Sequence, residues 1–194
     1  GVTEADALRT VEHIFKYDVE AARVAAIILE PVQGEGGFYA ITPSFAQKLR
    51  ALCDQHGILL IADEVQSGFG RTGKLFALEH SGIEADIMTM AKGIAAGFPF
   101  AAFAVSADVN AIIQKDDHGG TYCGNPLGCA LSNAVIGYLH KHNIASRVQL
   151  SGSFLMHALH GMAQEFGDVI KQVRGLGLLC AIEFHDAALS RPLT

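Results

Sequence analysis

The stretch Ile58-Leu-Leu-Ile-Ala-Asp63 is an unbroken apolar run of strand length that ends in a carboxylate. A second such run begins at Ile87 and is followed closely by Lys92. Strands without polar alternation are typical of parallel sheets whose two faces are covered by helices. We therefore expect an α/β fold with Asp63 and Lys92 at the carboxyl-terminal edge of the sheet, where ligands of open α/β sheets bind.

Further apolar runs and one helical pattern complete the first half of the chain. The runs at 24–29 and 100–105 predict two more strands. Thr42 is predicted to cap a helix that begins with Pro43 and ends at Gly57. This alternation of strands and helices favours a mostly parallel sheet.

The second half of the sequence changes character. Two long helical patterns follow one another, because Asn125 opens the first and Asn143 separates it from the second. Residues 173–184 then predict one strand with a glycine kink. We therefore predict two domains, residues 1–142 and residues 143–194.

Composition and charge exclude several classes of protein. The 194 residues are 50% hydrophobic and 18% charged, which is typical of a folded chain rather than a disordered one. The net charge of −6 argues against a nucleic-acid partner held by phosphate contacts. The apolar stretch 87–105 resembles a membrane span, but it contains Lys92, two glycines and a proline between acidic flanks, so no membrane span is expected.

The cysteines and the first residues bear on the cellular location. No pair of the four cysteines has C-x-x-C spacing, so we expect buried free thiols in a reducing compartment, the cytoplasm. These are Cys53, Cys123, Cys129 and Cys180. No histidine or cysteine pattern is typical of a metal site, and no metal is expected. The first residues lack both Met and a signal peptide, so we expect the chain to be a fragment of a longer protein.

A glycine-rich stretch imitates two phosphate-binding loops. Gly68-Phe-Gly-Arg-Thr-Gly73 matches G-x-G-x-x-G, and Lys74 extends it toward a Walker A loop. Leu75 stands where that loop needs a hydroxyl for Mg²⁺. In the dinucleotide fingerprint the glycine turn follows the strand directly, whereas several residues intervene here. The sequence therefore argues against a nucleotide-binding module.

Asp63 and Lys92 remain as the groups with distinctive chemistry. A lysine in apolar surroundings can present a neutral amine that forms a Schiff base, and the small residues after Lys92 leave room for a planar ligand. A carboxylate can keep a pyridine nitrogen protonated, which makes the ring an electron sink. The alternative at this point is structural: Asp63 caps a helix and Lys92 extends to solvent.

Several ordered strings around these two residues resemble the class III (omega-amino) aminotransferases, which use pyridoxal 5'-phosphate (PLP). The strings are Glu30-Pro-Val-Gln-Gly-Glu-Gly-Gly37, Leu60-Ile-Ala-Asp-Glu-Val-Gln-Ser-Gly68, Gly70-Arg-Thr-Gly73, Met90-Ala-Lys-Gly-Ile94, Gly119-Gly-Thr-Tyr-Cys-Gly-Asn-Pro126 and Val173-Arg-Gly-Leu-Gly177. The resemblance implies the fold of type I PLP-dependent transferases, here as a partial chain. Residues 1–142 would be the second half of the large PLP-binding domain, and residues 143–194 the start of the small α+β domain.

The resemblance also implies a role for individual residues. Lys92 would be the Schiff-base lysine, and Asp63 would pair with the pyridine nitrogen of PLP. Gln66 would contact the phenolic oxygen of the ring. Thr121 would hold the PLP phosphate of a partner subunit, which implies a homodimer or a dimer of dimers. Glu35 would pair with an arginine beyond the end of this sequence and so control the substrate carboxylate site.

The implied reaction is transamination between a small-molecule amino donor and a keto acid. The strings at 36–39 and 65–68 favour the family members that act on 4-aminobutyrate, with 2-oxoglutarate as acceptor and with succinate semialdehyde and glutamate as products. Two alternatives stay open. One is an acetylornithine or ornithine type of aminotransferase, and the other is a non-catalytic truncated fragment of such an enzyme.

Overall fold

A four-stranded sheet forms the centre of the first half of the chain. The computed structural model describes residues 3–193, and the strand order is β1-β2-β3-β4. The strands are β1 (Ala26–Leu29), β2 (Leu59–Asp63), β3 (Ile87–Met90) and β4 (Ala102–Val105). The first three are parallel and β4 is antiparallel to β3. The predicted mostly parallel α/β sheet is confirmed, and β4 reverses because the segment before it holds no crossover helix.

Five α-helices accompany the strands in the described part of the chain. They are α1 (Glu4–Tyr17), α2 (Pro43–His56), α3 (Ala107–Ile112), α4 (Pro126–Lys141) and α5 (Ile144–Glu165). The predicted signals of α2 are confirmed, since Thr42 Oγ1 accepts a hydrogen bond from the Phe45 amide at 3.1 Å and Gly57 is left-handed at φ 67°. Asn143, with φ 49°, separates α4 from α5 as predicted. Helix α1 was not predicted from the sequence.

The core lies on one face of the sheet only. Leu49 and Cys53 of α2 form a buried cluster with Ile58 and Leu60. The opposite face is open, because Ile28 of β1 is 61% exposed and Phe103 of β4 is 45% exposed. Within residues 3–193, α2 therefore covers one face of this sheet, and the other face is uncovered.

Asp63 lies on the open face. Side chains alternate along a strand, so Leu60 and Ala62, which are buried, point toward α2, while Asp63 points away from it. The parallel register places Asp63 beside Thr89 of β3, and the next register pair joins Thr89 to Phe103. Asp63, Thr89 and Phe103 are therefore neighbours on the uncovered face.

The end of the chain differs from the single kinked strand that the sequence predicted. Two antiparallel strands, β5 (Ile170–Leu176) and β6 (Leu179–Phe184), form a hairpin instead. The glycines make the reversal rather than a kink, since Gly177 is left-handed at φ 61° and a Cβ on Gly175 would lie 2.2 Å from the Leu179 carbonyl oxygen. Whether residues 143–194 form a separate domain stays a prediction.

The structure also tests the expectations for the apolar stretch 87–105 and for the cysteines. The apolar stretch 87–105 folds as β3, a short 3-10 turn and β4, and no helix within residues 3–193 is long and apolar enough to cross a membrane. The four cysteines are free thiols, but only Cys53 is buried. Cys123 is exposed, and Cys129 and Cys180 are partly exposed, because they lie outside the cluster under α2.

Candidate functional site

Asp63 and Lys92 follow neighbouring parallel strands and lie at the same edge of the sheet, as predicted. Asp63 is half-buried at the end of β2, and its Oδ1 accepts a hydrogen bond from the Val65 amide at 3.0 Å. It caps no helix, since the next helical turn after β2 begins at Ala77. Lys92 opens the 3-10 turn Lys92–Ala95 just after β3.

The backbone of Lys92 is strained and its side chain is accessible. Its φ of 46° lies in the left-handed region, which disfavours residues with a Cβ, and residues strained in this way cluster at active sites and ligand-binding sites. The sequence predicted apolar surroundings for Lys92, but in the structure Lys92 is exposed. The structural alternative of a lysine at the surface explains the exposure but gives no reason for the strained conformation.

Lys92, Gln66 and Glu35 are brought together around one cleft. The cleft has a volume of about 510 Å³ and is lined by Lys92, Gln66 and Val65. Its other walls are mostly apolar and include Phe38, Phe69, Ile144, Val148, Leu178 and Leu179. The Gln66 side-chain amide donates a hydrogen bond to Glu35 Oε1 at 3.2 Å, so the exposed Glu35 carboxylate is held next to this cleft. We call this space the lysine cleft.

Thr121 lies in a second, larger cleft over the open face of the sheet. This cleft has a volume of about 910 Å³ and is lined by Thr89, Phe103, His118 and residues 120–125, among others. We call it the threonine cleft. Val65 lines both clefts, whereas Lys92 and Gln66 line only the first and Thr121 only the second. One chain therefore does not bring Thr121 together with Lys92.

Sequence reasoning missed Glu64, which fixes the turn that carries Val65 and Gln66. The Glu64 carboxylate is fully buried. It accepts hydrogen bonds from the Ser67 hydroxyl and from the Leu78 amide. A second acidic residue directly after the aspartate of a buried strand was the available signal, because a carboxylate at that position must find donors or solvent.

Sequence reasoning also missed Val65 and Thr89. Val65 separates the two clefts, and Thr89 is a hydroxyl within an otherwise apolar strand that lines the threonine cleft. The Thr89 Oγ1 atom is buried and has no hydrogen-bond partner among the described residues. A polar residue inside an apolar run was the signal for Thr89, whereas nothing in the sequence pattern marked Val65.

The glycine stretch at 68–73 serves as a packing segment and lacks the geometry of a phosphate loop. No α-helix begins after it, because a 3-10 turn at 77–81 follows. Its backbone contacts the second half of the chain instead. The Gln149 side-chain amide donates to the Gly73 carbonyl at 2.7 Å, and the Leu178 amide donates to the Arg71 carbonyl at 3.1 Å. This finding supports the argument against a nucleotide-binding module.

An arginine of the hairpin holds the loop that carries Glu35. Arg174 Nε donates to the Gly37 carbonyl, and its guanidinium lies 4.0 Å from the centre of the Tyr39 ring. Arg174 also pairs with Glu183 on the neighbouring strand. Arg174 is thereby fixed from both sides, and the hairpin positions the loop 33–39 beside the lysine cleft.

The donor set around Val65 fits pyridoxal phosphate. An amine suits its aldehyde, a carboxylate suits its ring nitrogen, and amide or hydroxyl groups suit its phenolic and phosphate oxygens. Lys92 and Gln66 supply such groups at the lysine cleft and Thr121 at the threonine cleft, whereas Asp63 lines neither cleft and lies beside Thr89 on the open face of the sheet. The unpartnered Thr89 hydroxyl independently indicates that a polar interaction is missing from this region. Within residues 3–193, no cluster of three or more His, Cys, Asp or Glu side chains is arranged to hold a metal ion.

Comparison with known proteins agrees with these features. The sequence model of the family described as Aminotransferase class-III matches residues 2–192. The chain is 47% identical to the 4-aminobutyrate aminotransferase of Escherichia coli over 193 residues, which are 99% of this chain and 45% of that protein. It is 48% identical to the 5-aminovalerate aminotransferase of Pseudomonas aeruginosa over 186 residues, which are 96% of this chain and 43% of that protein.

A solved structure shows the same fold. The acetylornithine aminotransferase of Elizabethkingia anophelis superposes with a TM-score of 0.84 at 34% identity, over 91% of this chain and 44% of that one. The chain thus spans less than half the length of the relatives it matches.

The Glu183 ion pairs within the hairpin, one of which holds Arg174, provide a test of how the hairpin is stabilised. Hydrogen bonds from Lys171 and then Arg174 lower the pKa of Glu183 from 4.5 to about 2. Because the pKa in the folded protein is the lower one, the stabilisation is complete above pH 4.5 and is lost as the pH falls toward 2. We expect Glu183→Gln to lower the urea midpoint of unfolding at pH 7, and the difference from wild type to shrink below pH 4.5.

The control for this measurement is Glu84→Gln, since Glu84 is exposed and accepts no hydrogen bond from the described residues. A wild-type advantage over Glu183→Gln that stayed constant from pH 7 down to pH 2.5 would contradict the assignment of these ion pairs.

Proposed function

This chain belongs to the class-III aminotransferases, and on that premise we propose that the complete protein is a PLP-dependent transaminase of an omega-amino acid. The amino donor is 4-aminobutyrate and the acceptor is 2-oxoglutarate, which gives succinate semialdehyde and glutamate. One observation carries the proposal: Asp63 and Lys92 follow neighbouring parallel strands at one sheet edge, and Lys92 shares its cleft with Gln66.

The proposed chemistry assigns a task to each side chain. PLP, when bound, supplies a protonated pyridine ring that draws electrons from the substrate carbon. Asp63 holds the proton at the ring nitrogen, and the Val65 amide keeps the carboxylate in place. Lys92 would hold the cofactor covalently through its amine, and as a free amine it would remove the proton from the substrate carbon. Gln66 donates to the phenolic oxygen of the ring.

Thr121 and Glu35 extend the proposal to the partner subunit and the substrate. Thr121 holds the phosphate in the site of a second copy, so the active protein is a homodimer or a dimer of dimers. Support comes from the separation of the lysine cleft and the threonine cleft within one chain. Glu35, held by Gln66, controls the place of the substrate carboxylate. We also propose a cytoplasmic location, which the four free thiols favour.

The choice of amino donor rests on the relatives. The two curated relatives at 47% and 48% identity are named for 4-aminobutyrate and 5-aminovalerate, both linear chains with a terminal amine and one carboxylate. An acetylornithine or ornithine substrate is the second candidate, because the structure of an acetylornithine aminotransferase shares this fold at 34% identity. A third possibility is that the chain alone is an inactive fragment, which its coverage of less than half of its relatives supports.

Trapping of the cofactor tests the role of Lys92. After incubation of the complete protein with PLP and reduction with borohydride, we expect peptide mass mapping to find a pyridoxyl group on Lys92. Lys92→Ala should lose this label and lower turnover by about 10⁴-fold or more, since covalent attachment and the base are both removed. Lys141→Ala, which changes another exposed lysine, is the control and should keep both.

Label scattered over surface lysines of the complete protein would contradict the assignment. The same reaction on residues 1–194 alone tests the alternative that this chain is an inactive fragment. A fragment that cannot form the site acquires no specific label, whereas the complete protein does.

A donor panel tests the substrate. With 2-oxoglutarate as acceptor, we expect kcat/KM for 4-aminobutyrate to exceed that for ornithine and N-acetylornithine by about tenfold or more. The reason is that a pocket shaped for one substrate binds a differently substituted one less well in the transition state. 5-Aminovalerate, one methylene longer, should follow more closely. A larger kcat/KM for N-acetylornithine or ornithine would overturn this choice of donor and favour the second candidate.

Gly34→Ala tests the role of Gln66 without changing Gln66. A Cβ on Gly34 would lie 2.3 Å from Gln66 Nε2, so the flexible Gln66 side chain must leave its position beside the lysine cleft. We expect a PLP affinity about two- to tenfold weaker, which corresponds to the loss of one hydrogen bond. Gln66→Ala should have a similar effect, and the double variant should lose no more than either single variant.

Gly36→Ala is the control for this prediction, because its Cβ would meet Gln33 rather than Gln66. Unchanged cofactor affinity in both Gly34→Ala and Gln66→Ala would show that Gln66 does not contact the ring.

A further inference from the structure

Thr89 carries a hydroxyl whose presence the fold does not explain. Its Oγ1 is buried, and Arg50 Nε is the only other buried side-chain polar atom that lacks a partner in the described part of the chain. A buried hydroxyl without a hydrogen bond destabilises a protein relative to an apolar group of the same shape. Valine has that shape, and the neighbours of Thr89 along the strand are Ile87, Met88 and Met90. Packing alone would favour valine at this position.

The register identifies the group that this hydroxyl can serve. Thr89 is the direct neighbour of Asp63 in the parallel pair, and both side chains lie on the open face of the sheet. Strands in a sheet are about 4.8 Å apart, so a rotation of the Thr89 side chain between its staggered positions brings Oγ1 toward the Asp63 carboxylate. No other polar side chain of β3 is available for this contact.

Asp63 has an oxygen that can accept such a bond. Its Oδ1 takes the Val65 amide, while its Oδ2 accepts no hydrogen bond within residues 3–193. A carboxylate oxygen has two acceptor positions, so Oδ2 can take the Thr89 hydroxyl and a pyridine N–H at the same time. With Val65 on one oxygen and Thr89 on the other, the plane of the carboxylate would be fixed.

We propose that Thr89 is a positioning residue whose hydroxyl donates to Asp63 Oδ2 and orients this carboxylate toward the pyridine nitrogen of bound PLP. The inference rests on the proposed function, since it needs a ring at Asp63. Thr89 acts through Asp63 and touches neither the substrate nor the reacting atoms.

The proposal predicts that removal of the Thr89 hydroxyl weakens PLP binding without lowering the stability of the protein. A packing role for Thr89 would not predict this combination. In the complete protein, Thr89→Val should weaken PLP binding about tenfold, as measured by titration of the cofactor-free protein, because the carboxylate loses one of its two fixed contacts. The thermal midpoint of the cofactor-free Thr89→Val protein should be equal to or above that of wild type. Thr89→Ser keeps the hydroxyl and should bind PLP within about twofold of wild type.

A double-mutant cycle with Asp63→Asn tests whether Thr89 acts through Asp63. The tenfold effect of Thr89→Val should fall below twofold when Asp63 is already asparagine. A full tenfold effect in that background would overturn the proposal, as would a Thr89→Val protein that binds PLP as wild type does. A cofactor-free Thr89→Val protein that melts well below wild type would also overturn it, because Thr89 would then be a packing residue.

Failure of this inference is distinguishable from failure of the proposed function. If wild type binds PLP and carries the label on Lys92, an unchanged Thr89→Val variant removes only the role of Thr89. If wild type itself takes up no PLP, the proposed function fails and the inference fails with it.

Discussion

The parallel register between β2 and β3 is the constraint on which the rest of the site depends. It sets Asp63 beside Thr89 and brings Lys92 to the same edge. Because side chains alternate along a strand, a shift by one residue would turn Asp63 toward α2 and away from the open face of the sheet. The position of every proposed cofactor contact in the sheet follows from this pairing.

Hydrogen bonds at both ends of the pair hold that register. At the start, Asp86 Oδ2 accepts from the Leu60 amide at 2.7 Å and from Arg50 at 2.6 Å. Burial would raise the pKa of Asp86, but these donors outweigh it and keep the pKa below its usual value, so the carboxylate stays charged. At the other end, the Glu64 amide donates to the Thr89 carbonyl at 3.0 Å. Glu64 thereby connects the sheet to the turn that contains Val65 and Gln66.

Local signals in the sequence predicted the parts of the fold that depend on local physics. Thr42, Pro43 and Gly57 marked the ends of α2 because a cap and a left-handed glycine act within one turn of chain. The sequence predicted one strand at residues 173–184 where the structure has a hairpin. The pairing of β5 with β6 depends on the reversal of the chain between them, which composition does not specify. The open sheet face could not be predicted either, because an apolar run does not say which of its faces has a neighbour.

The motifs predicted Asp63, Gln66, Lys92, Thr121 and Glu35 as site residues, and those roles stay predictions, whereas the significance of Glu64, Val65 and Thr89 was recognised only in the structure. These three take their significance from position: a buried carboxylate, a shared wall and an unpaired hydroxyl. The left-handed backbone of Lys92 and the unpaired Thr89 oxygen each oppose the stability of the chain. They lie around one edge and one face of the sheet. Unfavourable features that cluster in this way indicate a site shaped for binding, and this argument stands apart from any sequence match.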